Sequence, residues 1–137
     1  MKHAKRILSL LLVLALTAAA AMSLMSCDKK DAEAAFATDE VTKTITVTVI
    51  DDEGKEAVFS ITTRAVYLRG ALEQEDLVEG DESEYGLYVK VVNGVRADYD
   101  TDGAWWGFYK DGVMLPTGID STEIAEGDSY QIKYEKA

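Results

Sequence analysis

The chain carries a single cysteine, Cys27, directly behind a hydrophobic run, and this limits what the rest can fold into. A lone cysteine cannot close an internal disulfide. Whatever folds downstream must be held by an apolar core. The same placement predicts a location. Met1-Lys2-His3-Ala4-Lys5-Arg6 carries three positive side chains and no acid, Ile7 to Met25 is almost unbroken apolar, and the small Ser26 precedes Cys27. A basic head, an apolar centre and a small residue before a cut predict a secretory signal over residues 1–26.

A cysteine first after the cut is the pattern of a bacterial lipoprotein, whose thiol is alkylated with diacylglycerol. Leu24-Met25-Ser26-Cys27 resembles the lipobox of such proteins, with Leu24 and Ser26 matching well and Met25 less usual. One acyl chain binds a bilayer only marginally, so a stable anchor needs at least two. The competing expectation is an uncleaved anchor, since roughly 20 apolar residues span a bilayer. Ala18 to Ala21 and Ser23 weaken the second half of the run and favour cleavage. Either way the bulk of the chain is expected on the extracytoplasmic face of the cell membrane, and in the lipoprotein reading lipid on Cys27 is the membrane contact.

Cutting before Cys27 leaves 111 residues. Residues 27–40 read as the lipidated cysteine and a flexible tether, because Asp28 to Glu40 has charges, small residues and no periodicity. Such a stretch buries too little apolar surface to offset its ordering entropy. One globular domain is expected over 41–137, a common domain size. Beyond the signal there are 25 acids against 11 Lys and Arg, a formal net charge of −14. This argues against nucleic-acid binding, which relies on Lys and Arg to neutralise phosphates. The plain reading of the acidity is solubility.

Within the domain, Val41 to Ile50 alternates apolar residues with threonine, the period of a half-buried strand. Asp51-Asp52-Glu53-Gly54 is a turn and Ala57 to Ile61 the returning strand. A helix is expected from about Ala65 to Gln74 or Glu75, capped by Thr62 or Thr63, with Gly70 marking a close approach to the sheet. Glu79 to Glu84 reads as a polar loop. Strands follow at Tyr85 to Val92, from Val95, at Ala104 to Tyr109, at Val113 to Leu115 and at Ser129 to Lys136, with hairpin turns at Asn93-Gly94 and Asp111-Gly112. Asp98 to Gly103 reads as a loop. A hairpin, one helix and then several strands predict an α+β fold: a β-grasp, ubiquitin-like mixed sheet packed on one helix.

Tyr67-Leu68-Arg69-Gly70-Ala71-Leu72, Glu84-Tyr85-Gly86-Leu87-Tyr88-Val89, Val92-Asn93-Gly94-Val95, Asp98-Tyr99, Gly103-Ala104-Trp105-Trp106-Gly107-Phe108-Tyr109, Thr117-Gly118-Ile119-Asp120 and Glu126-Gly127-Asp128 follow one another in order. Together they resemble the bacterial family of transcobalamin-like C-terminal domains, over nearly all of Val41 to Tyr134. Members resemble the smaller β-domain of the animal cobalamin carriers, where it caps cobalamin held against a larger helical domain. The resemblance implies a β-grasp binding module with a corrinoid as the leading ligand. The helical partner domain of the carriers has no counterpart here. In the resemblance, the stretch matching Met114 to Gly118 lies near the corrinoid.

The residues alone favour binding over catalysis. The only histidine, His3, leaves with the signal, so the expected mature chain lacks an imidazole base. The common Cys and His zinc sites cannot be built. No enzyme activity and no cofactor are expected, and no metal site beyond one weak calcium candidate. Asp98, Asp100, Asp102 and Gly103 match positions one, three, five and six of a calcium loop, but position twelve is Tyr109 where a bidentate Glu is required. The plainer expectation is a solvated loop whose acids cap main-chain N–H groups.

Alternation puts Ala104, Trp106 and Phe108 on one face, toward the core, and Trp105, Gly107 and Tyr109 on the other. Exposed aromatics beside a glycine can receive a flat ligand. The candidate lining is Tyr99, Trp105, Tyr109, Met114 and Leu115. The structural alternative for these aromatics is a second small cluster with Tyr99, Tyr85 or Tyr88. The leading expectation is thus a lipid-anchored module for a small molecule such as a corrinoid. The alternative is a surface protein–protein interaction or adhesion domain without such a ligand.

Overall fold

The threonine alternation at the head of the domain produces its longest strand. β1 (Thr38–Ile50) turns Ile45, Val47 and Val49 inward, all buried, while its threonines face out. The computed structural model describes residues 34–137. The expected signal segment, Cys27 and the tether through residue 33 lie outside the described residues. β1 starts three residues before the expected domain boundary, and Ala35 is already buried, so the end of the expected tether is part of the fold.

Asp51 closes the first hairpin. Its Oδ1 accepts the main-chain N–H groups of Glu53 and Lys55, each at 2.9 Å, and Gly54 supplies a φ of +79°. β2 (Glu56–Ala65) returns antiparallel, with Ile61 opposite Ile45 and Phe59 opposite Val47. β2 runs through Thr62 and Thr63, which were expected to cap the helix. Thr63 is instead buried in the strand, its hydroxyl accepting the Ala65 N–H at 3.0 Å.

The helix α1 (Leu68–Gln74) starts three residues later than expected and has no side-chain cap. Its first free N–H groups are satisfied by a distant loop: Leu68 donates to the Thr122 carbonyl at 2.8 Å and Arg69 to the Ile119 carbonyl at 3.1 Å. That substitution works because a helix start needs acceptors of any origin. Gly70 marks the expected close approach, since a Cβ there would sit 3.1 Å from the Ala65 Cβ.

The expected polar loop at 79–84 is a strand. β3 (Val78–Ser83) pairs antiparallel with β4 (Gly86–Val92), and β5 (Val95–Arg96) pairs with the end of β4. These three make a small sheet. β3 is an edge strand with only Val78 buried, so polar residues occupy it without cost. The expected loop after β5 contains a short helix, α2 (Tyr99–Asp102).

β6 (Ala104–Lys110), β7 (Val113–Met114) and β8 (Ser129–Lys136) complete the second, larger sheet, ordered β2-β1-β8-β6-β7. β8 lies parallel to β1, with Tyr130 beside Val47 and Ile132 beside Val49, and antiparallel to β6. A central parallel pair flanked by hairpins, with one helix over the inner face, is the α+β arrangement expected. The single expected sheet is divided into two. Leu68, Ala71 and Leu72 of α1 join Ile45, Val47, Ile61, Trp106, Tyr130 and Ile132 in one apolar core. Each Leu, Ile and Val among them contributes roughly 1.5–3 kcal/mol by leaving water.

Candidate functional site

A groove of about 460 Å³ opens between the two sheets. Leu87, Tyr88 and Val89 of β4 form one wall, and Trp105, Trp106, Gly107 and Phe108 of β6 the other. The segment from Met114 to Ile119 closes an end. Each wall uses consecutive residues. A strand face offers only alternate ones, so the groove is bounded by strand edges.

Both edges are incompletely paired. β6 pairs along its length with β8, but β7 reaches only Tyr109 and Lys110, helped by the Leu115 N–H to the Phe108 carbonyl at 2.9 Å. Main-chain groups alternate sides along a strand. With the Phe108 carbonyl directed at Leu115, the N–H and C=O of Trp106 also point away from β8, into the groove. β4 also lacks a strand neighbour on this side at 87–89, because β5 pairs only with Val91 and Val92, and the Leu87 N–H there is taken by Asp120. The groove therefore combines apolar side chains with main-chain donors and acceptors. The Trp106 indole N–H crosses between the sheets to the Lys90 carbonyl at 3.3 Å. Tyr88 and Met114 are exposed at the rim, with Val113 and Tyr85 exposed beside them in sequence.

The expected lining divides. Trp105, Met114 and Leu115 line the groove; Tyr99 and Tyr109 do not. Tyr109 belongs to a polar–aromatic cluster on the outer face of β6. Glu135 of β8 accepts the Trp105 indole N–H at 3.0 Å and the Tyr109 hydroxyl at 2.6 Å. The Glu135 bond, with some burial, holds the Tyr109 phenol above its ordinary pKa. Lys133 Nζ stands 4.9 Å from the centre of the Tyr109 ring. Gly107 makes room: a Cβ there would lie 2.4 Å from Glu135 Oε2. The Tyr99 ring packs at 6.1 Å against Trp105. The second aromatic cluster is thus the place of Tyr99 and Tyr109, while Trp105 serves both.

The calcium pattern is taken up by local structure. Asp98 Oδ1 accepts the Asp100 N–H at 3.0 Å to start α2, and Oδ2 takes the Arg96 guanidinium at 3.1 Å. Arg96, then the Asp100 N–H, hold the Asp98 carboxyl below its ordinary range. Gly103, at φ +63°, ends the helix. Among the described residues, no three His, Cys, Asp or Glu side chains gather into a group able to hold a metal ion.

One residue beside the groove escaped the sequence reading. Arg69, buried on α1, pairs with Glu73 at 2.9 Å, with Asp120 at 2.7 Å and with Glu82. Its guanidinium carbon sits 4.8 Å from the Phe36 ring centre. Burial alone would favour losing the charge, but Glu82, Asp120 and Glu73 outweigh it and raise the pKa. The only signal was its place in the motif Tyr67 to Leu72, which does not show its partners.

Known proteins agree with this architecture. A crystal structure at 1.30 Å of a candidate metal-binding protein from Ruminococcus gnavus ATCC 29149 is 39% identical, with a TM-score of 0.67 over 69% of this chain and 98% of that one. Haptocorrin in complex with Cbi is similar in fold, with a TM-score of 0.58 at 17% identity, over 73% of this chain. The match spans 26% of haptocorrin. No curated protein matches the sequence. A family model matches residues 66–136, from the entrance of α1 to the end of β8, and the chain belongs to that family, a domain of unknown function (DUF4430).

Proposed function

We propose that this domain is a binding module, held outside the cell by lipid on Cys27, whose groove takes one edge of a corrinoid-like ring. It has no catalytic role in this reading. The observation that carries it is the groove itself, apolar along both walls yet edged by unpaired main-chain groups of β6. A corrinoid has the matching chemistry, a broad apolar ring with peripheral amides that both donate and accept. The fold likeness to haptocorrin, which binds Cbi, supports the choice. A groove of this volume lies in the range of small-molecule sites and takes part of a large ligand.

Trp105 and Trp106 line the groove and report on it. Titrating the detergent-solubilised full chain with cobinamide should quench tryptophan emission in a saturable way. No quenching beyond inner-filter loss at about 100 μM, weak on the affinity scale, contradicts the corrinoid reading. A second reading has one observation in its favour. The open edge of β6 at 104–108 could accept a strand from a surface protein. It expects capture of a partner without added ligand, lost when cobinamide fills the groove.

A further inference from the structure

The groove is built from segments far apart in sequence, and one carboxylate ties the β4 wall to the closed end. Asp120 Oδ1 accepts the main-chain N–H of Leu87 at 3.0 Å, at the start of the β4 wall. Asp120 directly follows Gly118 and Ile119, which line the closed end. Its other oxygen, Oδ2, takes Arg69 Nη1 at 2.7 Å. The Arg69 main-chain N–H meanwhile holds the Ile119 carbonyl at 3.1 Å. Gly86, at φ +102°, passes so close that a Cβ would fall 2.7 Å from Asp120 Cγ. Asp120 is absent from the groove lining.

A carboxylate with each oxygen bonded to a different element fixes both elements relative to itself. The bond to the guanidinium is charge-assisted and therefore stronger than a neutral one. It is also shielded from solvent, since the Arg69 side chain is 7% exposed and that of Asp120 18%. Glu73 and Glu82 share the same arginine, but neither lines the groove nor bonds the Leu87 N–H. We propose that Asp120, oriented by Arg69, is a positioning residue that sets the β4 wall against the closed end of the groove and so the affinity for ligand, without touching the ligand. This rests on the groove being the binding site.

The test uses the full chain in detergent and four variants: Asp120→Ala, Asp120→Asn, Glu73→Gln and Glu82→Gln. Two readouts are needed, amide hydrogen exchange by segment and cobinamide affinity. Losing a charge-assisted bond should speed exchange at 86–89 and 117–119 about tenfold and weaken cobinamide binding about tenfold in Asp120→Ala. Exchange at 45–49 and 130–132 should stay at the wild-type rate. Asp120→Asn keeps an acceptor for Leu87 and should recover part of both effects; it also decides the matter if the alanine variant does not fold. The Glu73 and Glu82 variants should leave both readouts within about twofold, since Glu82 is exposed and the half-buried Glu73 contacts Arg69 without bonding Leu87. Unchanged wall exchange in Asp120→Ala, or faster exchange everywhere, overturns the proposal. So does loosened wall exchange with unchanged affinity. If the wild-type chain takes up no cobinamide, the functional reading fails, while the exchange pattern still decides whether Asp120 braces the β4 wall against the closed end.

Discussion

The two sheets are held in different ways. The larger one buries an unbroken apolar surface: Ile45, Val47, Ile61, Tyr130 and Ile132 are each at most 1% exposed, and α1 covers them. The smaller sheet buries Val78, Val89 and Val92 but leaves the rest of β3 in water. Its link to α1 and to the 117–124 segment runs through a charged group, Asp120, which takes the Leu87 N–H on one oxygen and Arg69 on the other. Apolar burial is non-directional and holds a sheet as a body. An ion pair with hydrogen bonds holds particular atoms at particular distances. The groove lies where the two kinds of support meet, so its shape should be alterable without unfolding the molecule.

The sharpest way to break that contrast is to damage each sheet separately. Leu72→Ala removes a fully buried side chain from the common core and should destabilise the whole domain by about 3 kcal/mol. A calorimetric transition lowered as one cooperative unit checks it. Gly80→Ala strikes the small sheet alone. Gly80 sits at the β3–β4 register shift, and a Cβ there would lie 1.9 Å from the Tyr88 carbonyl oxygen. Main chain cannot move aside as a side-chain tip can, so the cost should be about 2 kcal/mol. Hydrogen exchange should rise across 78–92 and not across 45–49. Equal rises in both would show that the sheets are a single unit.

A smaller effect sharpens the account of the large sheet. Asp128, at the entrance to β8, is opposed by its own burial but accepts the Ala125 N–H at 2.9 Å and the Tyr130 hydroxyl at 2.8 Å, and pairs with Lys110 at 3.2 Å. The bonds prevail and its pKa is lowered. A carboxyl lowered in the folded state adds stability above its unfolded pKa of about 3.9 and loses it as pH falls from there through the folded value. Asp128→Asn should therefore cost roughly 0.5–1 kcal/mol at neutral pH, after allowing for solvent screening. It should also flatten the loss of thermal stability below about pH 4. A variant as acid-sensitive as the wild type would remove Asp128 from the account.

Much of the large sheet was legible because its strands obey a period of two. Asn93-Gly94 and Asp111-Gly112 read as hairpins for a local reason, and all four residues adopt the positive φ such turns require. β3 was hidden because Glu79 to Ser83 is polar and an edge strand needs little burial. The helix start was hidden because its acceptors, the carbonyls of Ile119 and Thr122, come from about 50 residues away. The split of Trp105 from Trp106 followed from alternation. Alternation assigns residues to faces, however, and the groove is an edge feature. Of the expected lining, Trp105, Met114 and Leu115 stand at the groove, while Tyr99 and Tyr109 pack in the outer cluster. The Arg69–Asp120 pair spans 51 residues, and nothing local in either residue announces the other.

The central claim is that the seam between the sheets is where this domain binds. Amide chemical-shift mapping of the isotope-labelled full chain during a cobinamide titration tests it directly. The account predicts saturable shifts at 87–89, 105–108 and 114–119, with the strand pair β1–β2 unmoved. Shifts centred on β1 and β2, or on the outer cluster of Tyr109, Lys133 and Glu135 without the β4 wall, would contradict it.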